Sequence, residues 1–454
     1  MRNNEMNQII FGTWGLGGAF QKKSGNKIRQ IIQLAEDLGI NQFDSAMVYG
    51  NGEMDRILGE CLSSECTVAT KIPAIVKPDS KIESLNIEEY YPEDYLHKCV
   101  HKILSQLRDK KVVLQLHNWH HSWFSQYILD ILAPYRNRGD IQKLGVSIPD
   151  KYRAKYPENF NIYQSPFNLL DNSHAPEFSS CNGEKWARSI FFHGLLSKRK
   201  LQDYAENDAR RNKITSSVKE QFLRLRKNLR FQDNKTLRKE AISFCYRQGW
   251  IDKLVVGFTA TEQLEDFLET FLEVQKDIDR QFDQDSIFSN FNYTEDPNIL
   301  DKTAASLTVG NIRGIIGAAV VRVGERLLVV TRALDDSHSP GYPELPGGSI
   351  DSSEKLLDGI RRELFEELGI TSFKDIKIVG FFDVSYNNST FREFVVEITL
   401  NNPTMRPNSE ILNYAWFRGN DLIAHRRIGF HSLGERKMFL RVVDKILSER
   451  KILC

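Results

Sequence analysis

The sequence has no Cys-x-x-Cys pair, and its six cysteines (61, 66, 99, 181, 245 and 454) are too sparse for a disulfide framework, which suits a reducing compartment. It has no long apolar run. The longest, Gly314 to Val321, falls far short of a bilayer span. The opening Met-Arg-Asn-Asn-Glu-Met-Asn-Gln carries no apolar signal core. These absences predict a cytoplasmic protein without a membrane partner. It has no excess of either charge: the net charge is +1, so nothing electrostatic favours nucleic acid. Internal repeats and long low-complexity tracts are missing. No Gly-x-Gly-x-x-Gly follows the first predicted strand, which argues against an open doubly wound sheet. No pattern sets an oligomeric state.

What is present is length and apolar mass. The chain has 454 residues, 41% of them hydrophobic, enough for two or three domains with large cores. From residue 1 to 281, strand-like runs alternate with amphipathic segments. The runs are Gln8–Gly12, Gln42–Ala46, Thr67–Ile72, Val112–His117, Lys143–Ile148, Ile162–Phe167, Ala187–Phe192 and Leu254–Phe258. Eight such runs with helices between them predict a (β/α)8 barrel. Barrel active sites lie at the C-terminal ends of the strands, so polar residues there are candidates. Asp44, Lys71 and His117 end the second, third and fourth runs, and Tyr49 follows just beyond Asp44. A phenol beside an ammonium is expected to ionise more readily, an aspartate keeps that ammonium charged, and a histidine can orient a carbonyl oxygen. Singly each has a plain alternative, a turn cap for the aspartate and solvent for the lysine. His117-Asn-Trp-His120-His121 also invites a zinc reading, against which the two adjacent histidines read as loop residues.

Phe43-Asp44-Ser45-Ala46-Met47-Val48-Tyr49-Gly50, Ala69-Thr70-Lys71, Leu114-Gln115-Leu116-His117, Leu144-Gly145-Val146-Ser147 and Tyr163-Gln164-Ser165-Pro166-Phe167-Asn168 resemble the aldo-keto reductases, in that order. The resemblance implies that Asp44, Tyr49, Lys71 and His117 form a catalytic tetrad reducing an aldehyde or ketone, with a sugar-like carbonyl as one option, using NADPH or NADH. It implies cofactor or substrate contacts from Gly12, Thr13 and Trp14, and nicotinamide contacts from Ser147 and Gln164. The family commonly has Asn after that serine, where this chain has Ile148. Arg188, with Ser189 and Phe191 beside it, falls where many members stack a tyrosine on the nicotinamide, and a guanidinium can also stack flat. Gly257, Phe258 and Thr259 lead into a helix whose N-terminus suits a phosphate. Gln263 stands where NADPH users often carry Arg, which leaves the choice of cofactor open. The basic residues Lys198, Arg199, Lys200, Arg210 and Arg211 read as a solvated loop and helix.

Residues 282–308 lose periodicity and read as a linker whose aromatics pack on a domain surface. From 309 to 454 the pattern becomes mixed α and β, with strands at Gly314–Val323, Arg326–Thr331, Ile376–Val384, Arg392–Leu400 and Tyr414–Phe417. Between them lies Gly348-Ser-Ile-Asp-Ser-Ser-Glu354, then Arg362-Glu363-Leu364-Phe365-Glu366-Glu367-Leu368-Gly369-Ile370. Leu356, Leu357, Ile360, Leu364 and Leu368 make one apolar helix face, and Glu363, Glu366 and Glu367 share another. Three carboxylates so close repel unless a hard cation lies among them; a solvated acidic face is the plain alternative. The spacing is that of the Nudix hydrolases, which it resembles with no signature position missing. That resemblance implies an α/β/α sandwich in which Gly348, Glu363, Glu366 and Glu367 hold Mg2+, with Mn2+ as alternative. Glu363 and Glu366 would be catalytic, and water would attack a nucleoside diphosphate linked to another moiety. Arg362 would orient a carboxylate, Arg332 would face the phosphates, and Glu410 is a further acid. The expected whole is therefore a two-enzyme chain. Its alternative is a reductase regulated by a nucleotide-sensing, non-hydrolytic Nudix domain.

Overall fold

A computed structural model of the chain describes residues 6–17, 24–79, 81–152, 154–197, 214–228, 234–283, 291–294, 296–336, 339–386, 389–402, 404–419 and 421–451. The chain divides into two compact units, Met1–Cys245 with Ile251–Val274 and Tyr246–Trp250 with Gln275–Cys454. None of the described helices is long and apolar enough to cross a membrane. The basic residues Lys198, Arg199, Lys200, Arg210 and Arg211 lie outside the described residues.

In the first unit eight parallel strands close on themselves in sequence order: β1 Ile9–Gly12, β2 Gln42–Asp44, β3 Thr67–Pro73, β4 Lys111–His117, β5 Lys143–Ser147, β6 Ile162–Pro166, β7 Glu184–Arg188 and β8 Lys253–Gly257. This is the expected (β/α)8 barrel. Its interior is filled by a layer of Ile10, Ala69, Val113, Ile162, Trp186 and Val255. Side chains on a strand alternate faces, so residues two further on point inward again, one level nearer the C-terminal mouth. Those residues are Gly12, Lys71, Gln115, Gln164, Arg188 and Gly257. The pairings Gly12 with Asp44, His117 with Ser147, Ser147 with Gln164 and Gly12 with Gly257 set these levels side by side around the mouth. The helices outside bury one stripe each: Ile28, Ile31, Ile32 and Ala35 on Gly25–Asp37, and Leu96, Cys99, Val100, Ile103 and Leu107 on Glu93–Leu107.

The seventh strand departs from the expectation of Ala187–Phe192. It runs from Glu184 and stops at Arg188, because Ser189, Phe192 and His193 have φ of 59°, 41° and 58°. These left-handed residues turn the chain out of the sheet.

The second unit is built on a mixed sheet. β9 is Phe291–Tyr293, β10 Ile312–Val323, β11 Arg326–Arg332, β12 Pro343–Glu344, β13 Gly347–Ile350, β14 Asp375–Tyr386, β15 Ser389–Thr399 and β16 Ile411–Arg418. The order is β12-β11-β10-β15-β14-β9, with β13 on β10 and β16 on β11. Among the described strands of this sheet, only β10 and β15 pair in parallel. β9, from the segment read as a linker, is an edge strand on β14. The helix Leu356–Leu368 buries Leu356, Ile360, Leu364 and Leu368 against Ile315, Ala319, Phe394, Val396 and Ile398. The opposite face carries Glu393 and Glu397, and the helix Leu433–Lys451 reaches that face: its Lys445 lies 4.0 Å from Glu397.

Candidate functional sites

At the barrel mouth the Lys71 ammonium is 1% exposed. Its Nζ lies 2.6 Å from Asp44 Oδ1 and donates to the Ser45 carbonyl at 2.8 Å. Burial pulls the Lys71 pKa down and the Asp44 charge pushes it back up. Gln164 Nε2 donates to the same Asp44 oxygen at 2.6 Å, and Ser147 Oγ donates to Gln164 Oε1 at 3.3 Å. One chain of hydrogen bonds thus joins Ser147, Gln164, Asp44 and Lys71. The Tyr49 ring centroid stands 5.5 Å from Lys71 Nζ. Tyr49 is positioned by a close approach. A Cβ on Gly17 would sit 2.7 Å from Gly50 N and 3.3 Å from Tyr49 Cβ, so only glycine lets the loop after β1 rest there.

The electrostatics correct one expectation. The Tyr49 phenol is a weaker acid than usual in this barrel. Burial raises its pKa first and Asp44 second, and the opposing charge of Arg188 is outweighed. The His117 imidazole is pushed down to about 3 by burial, then by Lys71, Arg188 and Lys77, so it is neutral at working pH. His117, His120 and His121 form no metal-ligand group among the described residues, and His120 Nδ1 pairs instead with Ser122 Oγ at 2.9 Å.

The remaining candidates ring the mouth. Thr13 is buried, its hydroxyl donating to the Asp44 carbonyl at 2.9 Å, while Trp14 is exposed with its edge against His193. Arg188 is held by Asp150 at 2.8 Å and donates to the Ile148 carbonyl at 2.9 Å and to Ser189 Oγ at 3.3 Å. Gly12 and Gly257 pair across the β1–β8 seam. Phe191 packs edge-on to Phe267. The Phe258 ring is buried between Phe11 and Phe267, which leaves only its backbone to face a ligand. Gln263 Oε1 accepts from the Thr259 N–H at 2.9 Å and its hydroxyl at 3.1 Å, closing the loop ahead of the helix Thr261–Asp283.

Sequence reasoning missed Asp150, whose only signal was the unpaired guanidinium it serves, and Asp55. Asp55 is fully buried, bonded at 2.8 Å by Thr70 Oγ1, and its carboxyl pKa is raised chiefly by burial. It sits on the helix Glu53–Cys61 with nothing in its spacing to mark it.

In the second unit Gly348 pairs with Gly317 on β10. A Cβ on Gly348 would fall 2.5 Å from Glu363 Oε2, so the carboxylate occupies the space that any other residue would fill. Glu367 is buried and accepts the Gly347 N–H at 2.8 Å; burial, then the Glu344 charge, push its carboxyl up to about 8. Arg362 grips Glu354 with two 2.9 Å bonds, and its Nη1 reaches Glu363 at 2.9 Å and Glu366 at 3.1 Å. Glu363 is partly buried with a raised pKa, whereas Glu366 is half exposed. The Glu410 charge bears on both Glu363 and Glu367. Arg332, at a strand end as read from the sequence, pairs with Glu344 and with Asp336, the latter at 2.7 Å. The donor set here is all oxygen, which suits a hard divalent ion. Reading the sequence also missed Glu344, Glu393 and Glu435, which lie far apart in the chain and are all buried.

The model of the aldo/keto reductase family matches residues 8–284, more than half the chain. The chain belongs to that family. The NUDIX domain model matches residues 313–438, so an aldo-keto reductase barrel and a Nudix domain are joined in one chain. An uncharacterized oxidoreductase of Mycobacterium tuberculosis is 35% identical over 86 residues, covering 16% of this chain and 27% of that one. The chain thus spans about a quarter of the mycobacterial relative's length. An aldo-keto reductase of Bacillus subtilis is 23% identical over 235 residues, covering 48% of this chain and 69% of the relative. An RNA pyrophosphohydrolase of Bartonella tribocorum is 50% identical over 58 residues, 13% of this chain and 32% of the relative. Among solved structures, a glycerol dehydrogenase of Gluconobacter oxydans is 22% identical with a TM-score of 0.46, covering 60% of this chain and 90% of that chain.

Proposed function

We propose that the aldo-keto reductase barrel reduces an aldehyde or ketone with NADPH or NADH, and that the Nudix domain hydrolyses a nucleoside diphosphate derivative with Mg2+. The observation that carries the first half is the buried Lys71–Asp44 pair beneath the Tyr49 ring. The nicotinamide, when bound, supplies the hydride for the carbonyl carbon. Tyr49 gives its phenolic proton to the carbonyl oxygen, and solvent returns a proton to it. The raised phenol pKa means that this proton is present at neutral pH. Lys71 then stabilises the negative charge that develops on the ring. His117, its pKa pushed down to about 3 and its ring therefore neutral at neutral pH, donates a hydrogen bond to the carbonyl oxygen and is not the proton source. Ser147, Gln164 and Arg188 would hold the nicotinamide, with Gly257, Thr259 and Gln263 toward the cofactor phosphates. Gly12, Thr13 and Trp14 would contact cofactor and substrate.

In the Nudix domain Gly348, Glu363, Glu366 and Glu367 would hold the ion. The observation that supports this is the Glu363 carboxylate lying against Gly348. The ion supplies charge neutralisation of the diphosphate when bound. Arg362 fixes Glu363 and Glu366, and Glu410 adds negative charge near the site. The Bartonella relative is named for RNA pyrophosphate hydrolysis; the reaction class assigned here is the wider one of diphosphate cleavage.

The test is turnover by the full chain, with Tyr49→Phe and Glu366→Gln/Glu367→Gln beside it. Wild type should oxidise NADPH or NADH with some member of a carbonyl panel and release phosphorylated product from some member of a nucleotide panel with Mg2+. Tyr49→Phe should lose only the first activity and the double variant only the second. No cofactor oxidation with any carbonyl would sink the reductase reading. Nucleotide binding without any product would replace the hydrolase by a sensor.

A further inference from the structure

Glu344, His431 and Glu435 each present one ligating atom, and the three atoms lie within 4.8 Å of one another. Two of them are buried carboxylates, and His431 is partly exposed, which leaves a path for an ion. They come from β12 and from the helix Leu433–Lys451 with the residues just ahead of it. The Leu345 N–H donates to Glu435 Oε2 at 2.6 Å, and Oε1 faces His431 Nε2 at 3.9 Å. Tetrahedral ligands about 2.0 Å from an ion stand roughly 3.3 Å apart, so side-chain movements of up to about 1.5 Å would close the set around an ion.

A second observation points to the same place. Glu393 is 2% exposed, and its Oε1 has no hydrogen-bond partner among the described residues. It lies on the sheet face that the helix Leu433–Lys451 approaches, and its charge bears on Glu344 and Glu435. Arg332 is the cation that bears on Glu344, Glu393 and Glu435 alike. A cation binding among these carboxyls would take the place of their protons.

We propose that Glu344, His431 and Glu435 bind one divalent transition ion, with Glu393 as the adjoining acid, at a site separate from the signature glutamates. An imidazole among the donors favours Zn2+ over Mg2+ and Mn2+, which prefer all-oxygen sets. The ion ties the strand that enters the signature loop to the last helix. The inference does not depend on the hydrolytic reading.

The test is calorimetric titration of the full chain with Zn2+ in excess Mg2+, which fills hard-cation sites. Zn2+ should bind one per chain and raise the melting temperature of the second unit. Co2+ in its place should give the visible absorption of a site with an imidazole ligand. His431→Ala and Glu435→Gln should each weaken Zn2+ at least about 10-fold, while Glu366→Gln should leave it unchanged. Glu435→Gln keeps an acceptor for the Leu345 N–H, so it separates ligand loss from misfolding; circular dichroism of the metal-free proteins checks this. No Zn2+ uptake by wild type in Mg2+ overturns the proposal. So does uptake that Glu435→Gln leaves at full strength, since the ion then sits elsewhere, or uptake that Glu366→Gln abolishes.

Discussion

Removing both partners of the Lys71–Asp44 pair should destabilise the barrel no more than removing Asp44 alone. The ammonium is 1% exposed and has two recorded acceptors, Asp44 Oδ1 at 2.6 Å and the Ser45 carbonyl at 2.8 Å. Asp44→Asn leaves that charge buried without its hydrogen-bonded counter-charge, although the Asp55 charge still bears on it, which costs about 3–5 kcal/mol. At about 2–4 °C per kcal/mol for domains of this order, the barrel transition should fall by roughly 6–20 °C. Lys71→Met strands the Asp44 carboxylate instead, but Gln164 Nε2 still donates to it at 2.6 Å and it can take up a proton. Its cost should lie at the lower end of that range. The double variant carries no buried charge at this point, so its loss should not exceed that of Asp44→Asn alone, giving a coupling of at least about 2 kcal/mol. Calorimetry of the four proteins measures this. Both singles should also lose carbonyl reduction. Single losses below about 1 kcal/mol, or a double loss equal to the sum, would refute the view that burial makes this pair strongly coupled.

Gly348→Ala should keep the fold and lower Mg2+-dependent hydrolysis at least about 10-fold, because its Cβ must displace the Glu363 carboxylate from 2.5 Å; unchanged Mg2+ affinity and turnover would contradict this. Glu393 is held up to about 8, by burial and then Glu344, against about 4.3 when unfolded. The folded state therefore binds the extra proton between those values, and this contribution to stability is full below about pH 4.3 and lost as pH rises toward 8. Urea midpoints of the second unit in chelator should accordingly fall less steeply with pH in Glu393→Gln than in wild type, and identical slopes would remove Glu393 from the account. Gln263→Arg should move preference toward NADPH about 10-fold or more by adding a cation at the start of the helix Thr261–Asp283; an unchanged ratio of cofactor affinities would show that the 2′-phosphate lies elsewhere.

The sequence by itself determined the order of the architecture. Strand-like runs recurring with helices between them required a barrel, and the leucine stripe with three glutamates opposite required the signature helix. Both are local patterns, set by side-chain periodicity within a few turns. Asp44, Lys71 and His117 were legible for the same reason, since each falls at or near a strand end, whereas Tyr49 came from the resemblance. Tertiary structure decided the rest. It ended β7 at Arg188 through three left-handed residues that no periodicity announces. It gave Arg188 to Asp150, 38 positions away, and Arg332 to Glu344. It reversed the expected ease of ionising Tyr49, because burial and Asp44 outweigh the opposing cation once the barrel closes. It also gathered Glu344, Glu393, His431 and Glu435 from across the second unit. Charges so separated in the chain interact only after the sheet forms, and only burial, which removes water's screening, makes their proximity matter.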